Sequence, residues 1–134
     1  MRPLIYLLVL FLGGCITVAT KRLTLAVPVA RTSADTSVEA VLASPDFQAA
    51  LSIVEEVVRR QGMKRFDSPT MTEEGCVRSY ADGVLQCRVY TRRRHHLEIL
   101  FSELHRYRLS QEMRDFRDEV RRELAARFGS DAVR

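Results

Sequence analysis

Apolar residues recur along the chain with distinct periods, and each period predicts a different element. Phe47, Ala50, Leu51, Val54, Val57 and Val58 are three to four residues apart and form one face of a helix. Ser44-Pro45 opens that helix: the serine hydroxyl can accept a bond from a free first-turn amide, and proline suits the first helical position. Gly62 ends it, where a left-handed backbone is needed. The period then falls to two. Residues 63–66 predict a short strand, which Asp67-Ser68-Pro69 breaks, and 70–75 a loop. Residues 76–80 and 84–91 flank Ala81-Asp82-Gly83 and predict a β-hairpin. In its second arm Leu85, Cys87 and Val89 face the core, while Gln86, Arg88 and Tyr90 face away. Residues 92–96 make a second turn, and Leu97, Ile99 and Phe101 alternate in a further strand. Residues 104–109 fit either an extension of that strand or a loop. Met113, Phe116, Val120, Leu124 and Phe128 restore the helical spacing between a Ser110 cap and a Gly129 stop.

The order helix, three or four strands, helix gives an α+β fold. A meander has one apolar face and each helix one apolar stripe. The economical solution is two layers: an antiparallel sheet of three to four strands with an N-terminal and a C-terminal helix on one face, in the order α-β-β-β-α. This domain spans residues 44–129, with 130–134 as a tail. Ahead of it, Leu23-Thr24-Leu25-Ala26-Val27 could form a strand, restricted to an edge by Pro28. Residues 31–37 are small and polar and read as flexible. Residues 15–43 together therefore read as a tether with partial order.

The amino terminus carries a pattern of its own. After Met1-Arg2, residues 4–12 are uninterruptedly apolar. That run is about half of a bilayer-spanning helix and suits the core of a signal peptide. Leu12-Gly13-Gly14-Cys15 follows, and it resembles the lipobox of bacterial lipoproteins. The resemblance implies a signal peptide at 1–14, a diacylglyceryl group on the Cys15 sulfur, cleavage before Cys15 and acylation of the new amine. Several acyl chains make a stable anchor, since each buried CH₂ contributes roughly 0.8 kcal/mol. Ile16, in place of the aspartate that retains such proteins in the inner membrane, favours the outer membrane facing the periplasm. Two alternatives are an uncleaved anchor helix over 4–20 and a secretory signal with an incidental cysteine.

Export changes the meaning of the charge. The chain of 134 residues has a net charge of +4, and all but Lys21 and Lys64 of its 21 basic residues are arginines. Outside the cell no nucleic acid is expected as partner, which leaves anionic lipid, an acidic protein or a solvated surface. Arg92, Arg93 and Arg94 sit at the second turn, and with Arg106 and Arg108 they form a candidate anionic-ligand patch. Three like charges at a turn also discourage edge pairing.

With Cys15 acylated, Cys76 and Cys87 remain. A turn centred between Ala81 and Asp82 sets them opposite each other, and a shift of the centre by one residue offsets them by two. In an oxidising periplasm they are expected to form a disulfide; a free pair is the alternative. His95 and His96 are adjacent on a strand and point to opposite faces, so with His105 they make no expected metal site. The sequence has no glycine-rich phosphate loop, nucleophile elbow or zinc-protease motif, and no tryptophan. It implies no cofactor and no catalytic residues. The resulting expectation is a non-enzymatic envelope lipoprotein that assists a protein complex. The alternative is a binder of an anionic lipid or small ligand, through the gap between sheet and helices or the arginine patch. The first requires an exposed apolar or aromatic patch, the second a pocket or converging arginines.

Overall fold

The computed structural model of the chain describes residues 17–26, 43–66, 75–93 and 96–134. They fold as β1 (Val18–Ala26), α1 (Pro45–Arg60), β2 (Lys64–Arg65), β3 (Cys76–Asp82), β4 (Leu85–Arg93), β5 (His96–Leu104) and α2 (Gln111–Phe128), closed by a 3₁₀ turn (Ser130–Ala132). The strands form one antiparallel sheet in the order β1-β5-β4-β3-β2. The fold is α+β with five strands among the described residues. It thus differs in strand number and element order from the three or four strands, in α-β-β-β-α order, that periodicity predicts. The short strand expected over 63–66 is β2, two residues long; the added strand is β1, which precedes α1 in the chain.

β1 is the larger departure. Its nine residues pair with β5 from Val18↔Leu104 to Ala26↔His96, so residues 18–26 of the expected tether are part of the sheet. The physical reason is its alternation. Ala19, Leu23 and Leu25 are buried on the helix side, and Leu23 and Leu25 are each 1% exposed. These residues complete the core that α1 and α2 only partly fill. The two helices contribute Phe47, Val54, Val57, Met113, Phe116 and Leu124 to the same cluster as Cys87, Val89, Leu97, Ile99 and Phe101. At its centre Phe101 and Phe116 meet edge-to-face, their centroids 5.2 Å apart.

The helix ends follow their sequence signals with one exception. Gly62 has φ +75° and turns the chain from α1 toward β2. Ser110 accepts a bond from the Met113 amide at 3.3 Å, as a cap should. The Ser44 hydroxyl makes no such bond, and only its backbone carbonyl is used, by Gln48 N–H. The start of α2 has a second support. Glu103 is 2% exposed on the helix side of β5, and its carboxylate accepts the Ser110 amide at 2.7 Å and faces Arg106 Nε at 3.4 Å. A negative charge suits a helix N-terminus. This contact ties the end of β5 to the beginning of α2 and fixes how the helix runs back beside β1.

Leu23→Ala is expected to lower stability by about 2–5 kcal/mol, as for other fully buried leucines. Urea unfolding of the two proteins compares them. A change within error would mean that β1 is a tether and not part of the core.

A basic cleft beside the outer strand

α2 divides its charges between two flanks. Glu119 and Glu123 face α1, where Arg60 meets them at 3.1 and 3.5 Å and Gln61 donates to Glu119 at 3.1 Å. On the opposite side of the buried stripe lie Arg114, Arg117 and Arg121, at the three-to-four-residue spacing of one flank. That second flank overlooks β1.

A cleft of about 310 Å³ opens there, lined by Ala19, Thr20 and Lys21 of β1, by Tyr107-Arg108-Leu109 of the loop after β5, and by Arg114 and Arg117. Four cations converge on it. Lys21 takes the helix-side position between Ala19 and Leu23, the one point in the alternation of β1 where an apolar residue is replaced. Arg114 is steadied by the Leu109 carbonyl at 3.2 Å and by Gln111 at 2.7 Å. Arg117 pairs with the exposed Asp118 at 3.0 Å, which offsets part of its charge. Neither Lys21 nor Arg108 has an ion pair among the described residues. Tyr107 is 89% exposed, so a large aromatic side chain flanks the cationic wall.

Of the candidate patch read from sequence, Arg108 alone among the described residues lines this cleft. Arg106 is held at Glu103. Arg92 and Arg93 end β4 beside the turn into β5, and Arg106 follows the other end of β5. Nine residues of strand, about 30 Å, therefore separate the two halves of the patch. The side chains of Arg92 and Arg93, and Arg94 and His95 altogether, lie outside the described residues, as does Cys15. His96 and His105 are likewise at opposite ends of β5. No group of three or more His, Cys, Asp or Glu residues is placed to hold a metal ion among the described residues.

Cys76 and Cys87 are not brought together. The β3–β4 hairpin turns at Gly83-Val84, where Gly83 has φ +57° and Asp82 pairs with Leu85. The turn centre is thus two residues beyond the one that would align the cysteines. Cys87 pairs with Tyr80, and Cys76 pairs with Tyr90 across a bulge at Val77. The thiols also face opposite ways. Cys87 is fully buried under the helices, and Cys76 lies 3.5 Å from the Ser79 hydroxyl on the other face. A strand offset of about 10 Å and opposed directions exclude a bridge in this register, and both thiols are free. Burial pushes the Cys87 thiol well above its ordinary range, so it is inert at neutral pH. Its neighbour Tyr80 is raised too, first by burial and then by donating its hydroxyl to Glu55 at 2.9 Å.

The far face of the sheet is not uniformly solvated. Tyr90 and Glu98, paired across β4 and β5, are 1% and 7% exposed, and Glu98 has Arg22 at 3.8 Å. Alternation assigns Tyr90 to this face correctly, but not its burial.

Comparison with protein-family models, with curated proteins and with solved structures finds no match for this chain.

In the Cys15→Ser chain two thiols are expected to titrate in denaturant without reductant, and only Cys76 to react readily in the folded state at pH 8. A count of zero in denaturant would show that the cysteines pair and that the hairpin has another register.

Proposed function

We propose that the chain is a lipid-anchored, non-enzymatic accessory protein of the bacterial envelope, whose folded part holds an anionic partner in the cleft between β1 and α2. The observation that carries this reading is the convergence of Lys21, Arg108, Arg114 and Arg117 on one concave site with the exposed Tyr107 beside them. Cations on a concave wall concentrate field and favour a negatively charged occupant. The exposed Tyr107 ring supplies the non-polar contact that protein interfaces use.

The Leu12-Gly13-Gly14-Cys15 lipobox supports the anchor, and Ile16 supports an outer-membrane, periplasm-facing address. Among the described residues no helix is long and apolar enough to cross a membrane. On this reading β1 begins three residues after the lipid, a span of at most about 10 Å. The cleft then sits close to the bilayer surface. That closeness favours a second reading, in which the anion is a phosphorylated lipid headgroup. The Nε resonances of Arg114 and Arg117 in zwitterionic bicelles would then shift on addition of phosphatidylglycerol.

Tripolyphosphate is expected to raise the thermal midpoint of the full chain in neutral detergent at low salt, and Arg114→Glu/Arg117→Glu to abolish the rise. An unchanged midpoint at millimolar tripolyphosphate would remove the anion-binding reading. The anchor is checked separately: globomycin should accumulate an uncleaved precursor in cells, and Cys15→Ser should lose palmitate labelling. Labelling that survives the substitution would refute lipidation at this cysteine.

A further inference from the structure

β1 is an edge strand, and its outward side is only partly used. The chain's own C-terminus shows which groups face outward. Thr24 N–H donates to the Arg134 carbonyl at 2.6 Å, Arg134 N–H donates back to the Thr24 carbonyl at 2.8 Å, and Leu25 bridges to Val133. At the other end, His105 N–H donates to the Thr17 carbonyl at 2.7 Å, so the odd-numbered residues of β1 face β5. Antiparallel pairing alternates strictly, so the even-numbered residues face the edge. The backbone groups of Val18, Thr20 and Arg22 are therefore directed outward, and none has a hydrogen-bond partner among the described residues.

This open stretch is the floor of the basic cleft. α2 begins beside residues 19–21, and the segment that follows it reaches Thr24 and Leu25, so the helix runs the length of β1 above its free edge. Its flank of Arg114, Arg117 and Arg121 follows the same line. We infer that the anionic partner is an extended segment of another protein, which adds to the Val18–Arg22 edge as a sixth strand and carries acidic side chains at every second position. This inference rests on the reading of the cleft as an anion site and names its occupant.

Three observations choose a strand over a free anion. Unpaired edge groups offer main-chain hydrogen bonds that a phosphate would not need. The C-terminal residues already occupy the same edge one step further on, which shows that the space beside β1 accepts backbone. The basic flank of α2 also lies to one side of such a strand. In an added strand alternate side chains point toward α2, where the arginines are, and the others lie beside Val18 and Thr20 on the far face. An acidic–apolar alternation matches both surfaces.

The probe is a blocked octapeptide of alternating Glu and Val, titrated against the full chain in neutral detergent. It is expected to bind at least tenfold more tightly than its Lys–Val counterpart. Two analogues carry N-methyl groups, one on every Glu amide and one on every Val amide. Only the set whose amides face β1 should matter, so one analogue is expected to lose at least tenfold and the other to bind like the parent. Val18→Pro, outside the cleft lining, removes one outward N–H while sparing the ladder to β5, and it is expected to weaken the peptide at least tenfold without altering the tripolyphosphate response. If Val18→Pro fails to fold, the methylated analogues decide alone. Equal binding of both analogues, or no peptide binding while tripolyphosphate still raises the midpoint, overturns the strand and leaves the anion site standing. Loss of both responses overturns the two together.

Discussion

The full-length pairing of β1 with β5 is the constraint on which the rest of the structure depends. It puts Leu23 and Leu25 under the helices, closing a core that the β3–β5 meander and two helices would leave open at one side. It also makes β1 the edge and α2 its neighbour. The buried Glu103 carboxylate, on β5 opposite Ala19, fixes the first turn of α2 through Ser110, and the C-terminal residues fasten the last turn back to Thr24. The helix is held at both ends against one strand, and the cleft is the space left between these fastenings.

The charge distribution follows from the same geometry. One flank of α2 is acidic and engages Arg60 of α1; the other is basic and faces no helix among the described residues. Among those residues, a basic flank beside a strand edge with unpaired backbone groups is an unsatisfied surface in two senses, electrostatic and hydrogen-bonding. A partner that answers both at once has the simplest chemistry: extended backbone for the edge, carboxylates for the arginines. If Cys15 is acylated, β1 is also the element nearest the membrane. The partner would then be met at the bilayer surface rather than at the end of a long tether.

Much of the fold was legible in local pattern. The helical stripes of α1 and α2, the inward faces of β4 and β5, and Gly62 and Gly129 as helix stops need only periodicity and backbone preference, which are properties of neighbouring residues. β1 was visible as a possible strand, but Pro28 and the polar stretch after it suggested a tether. Nothing local revealed that its partner would be β5, some eighty residues away. The hairpin shows the limit in small scale. Asp-Gly marked the turn, yet the turn closed on Gly83-Val84, two residues beyond the centre that aligns the cysteines; that shift put Cys76 and Cys87 out of reach, and the bulge at Val77 put them on opposite faces.

The site was less legible than the fold. Adjacency in sequence drew attention to Arg92, Arg93 and Arg94, while the cations that converge come from three separate elements. Arg114 and Arg117 could have been noticed as a flank beside the apolar stripe, and Lys21 as the break in the alternation of β1, but neither signal says what lies opposite. By itself the sequence determined the class of fold, the helices and their inward faces, and a Leu12-Gly13-Gly14-Cys15 pattern that resembles a lipobox, because these depend on residues within a few positions of one another. Only the tertiary structure decided that β1 belongs to the sheet, that the cysteines are apart and that the basic flank of α2 overlooks an open edge, because each of these is set by strand register and helix direction between segments distant in the chain.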